Sequence, residues 1–288
     1  MIEVTTKLYE PMLAKPSSID FLRQVENDSN WVAVEKFDGY RQLLYLGSQG
    51  NHLYSRYGND HILNCPQFQT LVPELDGTVL DCEGMSPTRR LEDNAACFKA
   101  YPENAIAWQR ANGNAFLVAF DLLSYMGEDM VGRPFRERVG PLAEVVSVLS
   151  SRMPLRLEVL KFEGKENYYR SLVTDGGEGI ILKNLQAVYT LGKRTNAWLK
   201  VKRLEQHEYY VCGFLPAAEG KFEGLVGSVL YTDSPLNPAI GASSGMDDST
   251  RVDMTQFPDK YLGQRALFEC QRLTDRGVMR HPRWKGLV

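Results

Sequence analysis

The chain has 288 residues and a formal net charge of −3, with 43% hydrophobic and 24% charged residues. That suits two domains with real cores and excludes a disordered or low-complexity chain. Nowhere does an apolar run approach the roughly 20 residues of a membrane span. The five cysteines are scattered, odd in number and without a CxxC pair, which excludes a disulfide framework.

The start, Met1 to Lys7, carries mixed charge and lacks the apolar centre of a signal peptide, so a cytoplasmic protein is expected. Asn27-Asp28-Ser29 then matches a glycosylation acceptor by chance. The first helical pattern spans about 18–27. Residues 31–46 predict two strands around a turn at Asp38-Gly39. Compact β-like runs follow at 78–83 and 116–123. Helical patterns recur at 88–98, 101–111 and 134–150, the last placing Leu142, Val145, Val146 and Leu149 on one face. A helix at 166–174 is expected to stop at Gly176-Gly177, before a strand at 179–183.

The character changes after Arg203. Strand-like runs at 207–214, 224–232 and 265–273, separated by Gly-rich or polar turns, suggest a small β-barrel of OB-fold size. The stretch 233–259 reads as a long loop, and 203–206 as a linker. The expected class is α+β, with one domain at 1–203 and a barrel at 207–288.

Charge is unevenly spread. From Lys183 to Arg203 there is no acid, while Lys183, Lys193, Arg194, Lys200, Lys202 and Arg203 are basic. Arg276, Arg280, Arg283 and Lys285 form a second acid-free stretch. Such runs can meet a polyanion, although a solvated basic face is the commoner meaning of either run alone.

The chemistry begins at Lys36-Phe37-Asp38-Gly39-Tyr40-Arg41. A lysine beside a tight turn can attack phosphorus if its amine is uncharged, which nearby cations and a metal favour. Taken alone, the motif is weak evidence, and a solvated lysine before an Asp-Gly hairpin turn is its commoner explanation. What changes the balance is an ordered set: Ser55-Arg56-Tyr57-Gly58, Asp81-Cys82-Glu83-Gly84, Phe120-Asp121-Leu122, Glu178-Gly179-Ile180-Ile181-Leu182-Lys183 and Leu199-Lys200-Val201-Lys202. A nucleophile, two isolated carboxylates, an aromatic and three lysines are what nucleotide activation needs. Carboxylates hold Mg²⁺, cations neutralise leaving pyrophosphate, and an aromatic stacks on a base.

Together these motifs resemble the ATP-dependent DNA ligases, within the covalent nucleotidyltransferases that include RNA ligases and mRNA-capping enzymes. The resemblance runs from Pro11-Met12-Leu13-Ala14 to Arg280-His281-Pro282-Arg283. It implies that Lys36 forms the AMP phosphoramidate, using ATP as AMP donor with Mg²⁺, or Mn²⁺ in its place. Arg41 and Arg56 match arginines near the ribose and the nick phosphate. Glu83 matches an acid near the ribose or metal, and Glu178 a metal-binding glutamate. Phe120 matches the aromatic stacked on adenine, and Lys183, Lys200 and Lys202 match lysines on the nucleotide phosphates. Arg280 and Arg283, with Lys285, resemble the C-terminal motif that orients pyrophosphate. Arg56, Lys193, Arg194 and Arg203 are the expected DNA contacts. The family's OB-fold domain agrees with the strand reading. A monomeric, minimal bacterial or viral ligase acting on nicked duplex DNA is expected, with no membrane association and no further N-terminal domain, and with its two domains opening and closing.

Two departures stand out. The family often has glutamate two residues before the nucleophile; here that residue is Val34, the glutamate is Glu35, and how adenine is recognised stays open. Cys82 replaces a usual glycine. Plainer readings also exist. Phe120, flanked by Leu117, Val118, Leu122 and Leu123, suits a core; Glu83 and Glu178 suit surface or capping roles; Tyr209 and Tyr210 suit packing. Gly192-Lys193-Arg194 lacks the Walker pattern. His52, His61, His207 and His281 lack metal-ligand spacing, and Asp76-Gly77 reads as a turn. The rivals are an RNA ligase, a capping guanylyltransferase and a non-catalytic OB-containing binding module. A small-molecule kinase lacks its phosphate loop.

Overall fold

The computed structural model describes residues 8–218, 220, 222–274 and 277–288; Met1 to Lys7 and Arg276 lie outside the described residues. The chain divides into two compact units, Met1–Val201 and Lys202–Val288.

The first unit runs β1 (Leu13–Pro16), α1 (Ile19–Gln24), β2 (Trp31–Glu35), β3 (Tyr40–Tyr45), β4 (His52–Ser55), β5 (Val79–Met85), α2 (Leu91–Phe98) and α3 (Pro102–Asn112). It continues with β6 (Phe116–Tyr125), β7 (Glu128–Asp129), α4 (Phe135–Leu149), β8 (Leu155–Leu157), α5 (Lys165–Thr174), β9 (Gly179–Asn184) and β10 (Arg194–Lys202). Two sheets result, ordered β1-β10-β9-β2 and β4-β3-β5-β6-β7, with β8 parallel to β6.

Three cores hold this unit. Leu44, Leu80, Cys82 and Leu117 on the larger sheet pack with Phe98, Val145 and Leu149 of the helices. Leu43, Tyr45 and Phe120 on its other face meet Trp198 and Ile181 of the smaller sheet and Tyr189 of the segment between β9 and β10. Ala33, Ile180, Leu182 and Leu199 pack under α1 and α5. Covering both faces explains why β6 reads as an almost unbroken apolar run instead of an alternating one. Burial also needs charge compensation. Arg138 of α4, 1% exposed, donates to both oxygens of Asp121 on β6 at 2.6 and 2.8 Å.

The second unit contains β11 (Glu205–Pro216), β12 (Val226–Thr232), β13 (Gly241–Ser243), α6 (Asp248–Gln256), β14 (Arg265–Cys270) and β15 (Arg283–Leu287), in sheet order β13-β12-β11-β14-β15. A bridge between Ser244 and Arg283, with Trp284 N–H donating to Ser244 O at 2.8 Å, joins the two edges. The sheet therefore closes around Tyr231, Phe268, Met254 and Trp284.

Two expectations are corrected. The stretch 233–259 is not a loop throughout, since it holds β13 and α6. Helix α6 is mostly polar and buries only Met254 among the described residues; its start is set by Asp247, which accepts from Thr250 N–H at 2.7 Å. The expected linker 203–206 is partly strand, because Glu205 and Gln206 open β11 and pair with Cys270 and Glu269. No helix among the described residues is long and apolar enough to cross a membrane.

Candidate active site

Between the two sheets of the first unit lies a cavity of about 210 Å³, lined by Lys36, Arg41, Arg56, Glu83, Phe120, Lys183, Arg194 and Lys200 among others. Residues separated by more than 160 positions thus meet because β2, β5, β6, β9 and β10 present them to one gap.

Lys36 follows β2 directly, and its backbone N–H donates to Gly179 O at 2.9 Å, fixing it against β9. Its Nζ lies 2.5 Å from Glu178 Oε2. The turn after Lys36 is held from the other side. Asn94 of α2 is fully buried, donates to Asp38 O at 2.8 Å and accepts from Ser86 N–H at 2.6 Å. Gly39 is required by crowding, because a Cβ there would land on Gly84 O and Met85 Sδ.

Glu83 stands on β5 opposite Arg41 of β3. Burial pushes its carboxyl up to about 7, against the pull of Arg41 and Lys36, while Asp81 and Glu178 add to the rise. A group so placed gains from a cation. Glu83 and Glu178 supply hard oxygen donors close enough to influence each other, which fits Mg²⁺, an ion that keeps several waters and needs only one or two carboxylates.

Arg41 plays a more structural part than expected. Its guanidinium grips both oxygens of Asp81, which is fully buried, and donates to Met12 O at 3.2 Å. It also lies 4.6 Å from the Phe120 ring centroid and 5.4 Å from that of Trp198. Burial works against its charge, but Asp81 outweighs that and holds Arg41 above its ordinary value. Tyr189 completes the group by donating to Asp81 Oδ2 at 2.6 Å.

Phe120 is 8% exposed, packed edge-on against Trp198 with centroids 5.9 Å apart. It is both core and pocket wall. Lys183, expected on phosphates, is 2% exposed; its Nζ donates to Phe120 O at 2.8 Å and to Glu158 Oε1. That ammonium is committed to the interior. Lys200 lines the pocket. Arg194, expected on DNA, also lines it and donates to Ala14 O at 2.9 Å. Lys193 is exposed in the turn before β10. Val34 is a buried pocket wall, and the Glu35 carboxylate is paired with Arg89.

Lys202, Arg203, Arg280 and Arg283 belong to the second unit. There Arg203 pairs with Glu205, which also holds His207 Nε2 at 3.0 Å; Glu205, His207 and Cys270 form a trio whose ligand atoms lie within 4.8 Å. Within the trio, Glu205 is thus already held by Arg203 and His207.

Sequence reasoning passed over Asp81, Glu158, Asn94, Tyr189 and Trp198. Asp81 could have been found, since it precedes Glu83 by two on one strand and so shares its face. Glu158 carried no motif or spacing signal.

The described geometry has known counterparts. The family model for the ATP dependent DNA ligase domain matches residues 11–202. The SPbeta prophage-derived DNA ligase-like protein LigB of Bacillus subtilis is 27% identical over 208 residues, covering 70% of this chain and 72% of that protein. A probable DNA ligase of Kineococcus radiotolerans is 30% identical over 266 residues, covering 88% of this chain but 51% of its own length. Among solved structures, a Lig E DNA ligase, said to bind DNA with a minimal scaffold, superposes with a TM-score of 0.71 at 19% identity, covering 98% of this chain and 100% of that one. At that identity the likeness speaks for the fold.

Proposed function

The chain belongs to the ATP-dependent DNA ligase family, and from that premise we propose that it seals nicks in duplex DNA through an AMP adduct on Lys36. The observation that carries the proposal is the meeting of Lys36, Glu83, Lys200 and Phe120 in one pocket, with Glu178 paired to Lys36. Lys36 Nζ gives up a proton, for which Glu178 is the nearest acceptor, and attacks the α-phosphorus of ATP. An N–P bond forms as the P–O bond to pyrophosphate breaks. An oxygen of the 5′-phosphate at a nick then displaces Lys36, taking over the AMP. The adjacent 3′-hydroxyl finally attacks that phosphate and AMP leaves, closing the backbone. Each step is an in-line displacement at phosphorus, so positioning and charge neutralisation supply most of the acceleration.

Within this scheme Glu83 and Glu178 would hold Mg²⁺, which supplies charge neutralisation at the phosphates. Lys200 and Arg56 bring positive charge to the pocket for the phosphates, and Phe120 offers a ring face to the base. We read the closed sheet of the second unit as an OB-type barrel whose Arg280 and Arg283 serve pyrophosphate departure, with Lys202 serving the phosphates. Lys193, Arg194 and Arg203, with Arg56, are assigned to the DNA backbone. The protein works as a monomer, in replication or repair.

The test is incubation with α-labelled ATP and Mg²⁺, then nicked DNA. Label retained on Lys36 and released as the nick closes is expected. No adduct, or an adduct on another side chain, overturns the proposal. Nicked RNA sealed in preference to DNA would move the reading to an RNA ligase.

A further inference from the structure

The pocket lining is chemically mixed. Lys36, Glu83, Arg56 and Lys200 bring charge suited to phosphate, and Glu178 pairs with Lys36. Val34, Ile181, Phe120 and Trp198 supply apolar wall, and the Glu158–Lys183 pair is lodged against Phe120.

Glu158 is fixed from several directions. It follows β8, and its backbone N–H donates to Ala119 O at 3.0 Å, which locks it beside Phe120 on β6. One carboxylate oxygen takes Lys183 Nζ. Lys183 is anchored in turn by Phe120 O at 2.8 Å and by the rings of Phe120, Phe135 and Trp198, whose centroids lie 4.9, 4.8 and 4.9 Å from Nζ. Glu158 is 5% exposed, and among the described residues Lys183 is the one hydrogen-bond donor to its side chain. The other carboxylate oxygen has no donor from the described residues and is not a sealed polar atom, so on this pocket wall it is open to a donor from whatever fills the pocket. Burial lifts the Glu158 carboxyl to about 7, against the opposing pull of Lys183.

Adenine carries an amino donor at C6, whereas guanine and hypoxanthine carry an oxygen acceptor there. A carboxylate facing that position attracts the first and repels the second. On the nucleophile's own strand, Val34 is hydrocarbon and the Glu35 carboxylate is bound to Arg89. We propose that Glu158, oriented by Lys183, selects the nucleotide by accepting a hydrogen bond from the 6-amino group of adenine. This rests on the nucleotidyl transfer proposed above and adds the residue that chooses the base.

The test compares covalent labelling by ATP, by purine riboside triphosphate, which has only hydrogen at C6, and by inosine triphosphate. Wild-type protein should prefer ATP to purine riboside triphosphate by about 10- to 100-fold, the range of a charged hydrogen bond, and should label least with inosine triphosphate. In Glu158→Gln the Lys183 ammonium holds the amide oxygen, which turns the amide NH₂ towards the base. That variant should lose its preference for ATP over purine riboside triphosphate and gain labelling with inosine triphosphate. Wild type that labels equally with ATP and purine riboside triphosphate overturns the proposal, and this comparison needs no variant to fold. An unchanged ATP preference in Glu158→Gln overturns it too. Wild type that labels with no nucleotide overturns the transfer reading itself, a distinct outcome.

Discussion

Lys36 Nζ and Glu178 Oε2 lie 2.5 Å apart, although 142 residues separate them in the chain. The pairing of β2 with β9, with Glu35 opposite Ile180, creates the meeting. Removing either partner separates chemistry from folding. Lys36→Ala should form no adduct, and Glu178→Gln should slow adduct formation by about 10²–10⁴-fold, the usual scale for a lost proton acceptor. Both should keep the wild-type circular dichroism spectrum and melting behaviour. Mass spectrometry of protein treated with ATP reads the adduct, and an adduct on Lys36→Ala would refute the assignment.

Gly39 supports the nucleophile by its lack of a side chain. Gly39→Ala would drive a methyl into Gly84 O and Met85 Sδ, so the turn must move. Adduct formation should fall more than tenfold. Restored activity at high ATP would mean that only binding had suffered, and would argue against displacement of Lys36.

Buried ion pairs brace the larger sheet. Arg138→Met leaves the Asp121 carboxylate buried without its counter-charge, and Arg41→Met does the same to Asp81, which keeps the Tyr189 hydroxyl. Each should lower the unfolding free energy by about 3–5 kcal/mol. Urea titration measures this. Arg138→Met should still adenylate under folding conditions, because Arg138 does not line the pocket, whereas Arg41→Met should not.

Nick binding, if carried by phosphate contacts, should weaken steeply with salt. A protein engaging 6–10 phosphates loses about 10³–10⁵ in affinity between 50 and 200 mM. Fluorescence anisotropy with labelled nicked duplex checks this, and a flat response would move the contacts away from the backbone.

Much of the fold was legible in the sequence where patterns are local. The Asp38-Gly39 turn, the apolar face of α4 and the Gly176-Gly177 stop all depend on near neighbours. Strand β10 was invisible because Arg194, Asn196, Lys200 and Lys202 alternate with apolar residues only partly, and its partner β1 lies some 180 positions away. The motif residues Lys36, Glu83, Phe120 and Lys200 were visible because their types and order are constrained. Lys183 looked like another phosphate lysine, but its direction is decided by Glu158, 25 residues upstream, and no spacing rule announces that pair. Asp81 and Asp121 lie inside motifs that give them no role, since burial of a carboxylate depends on an arginine arriving from elsewhere.

The joint between Ser244 and Arg283 makes the last strand a keystone. Trp284 fills the interior while Val288 N–H still donates to Arg265 O at 3.0 Å. Trimming the chain after Met279 would strip the cover from β14 and leave a raw edge inviting aggregation. The contribution of Arg280 and Arg283 is therefore a question for single side-chain replacements, since a shortened protein would report on collapse of its barrel and not on the loss of two positive charges.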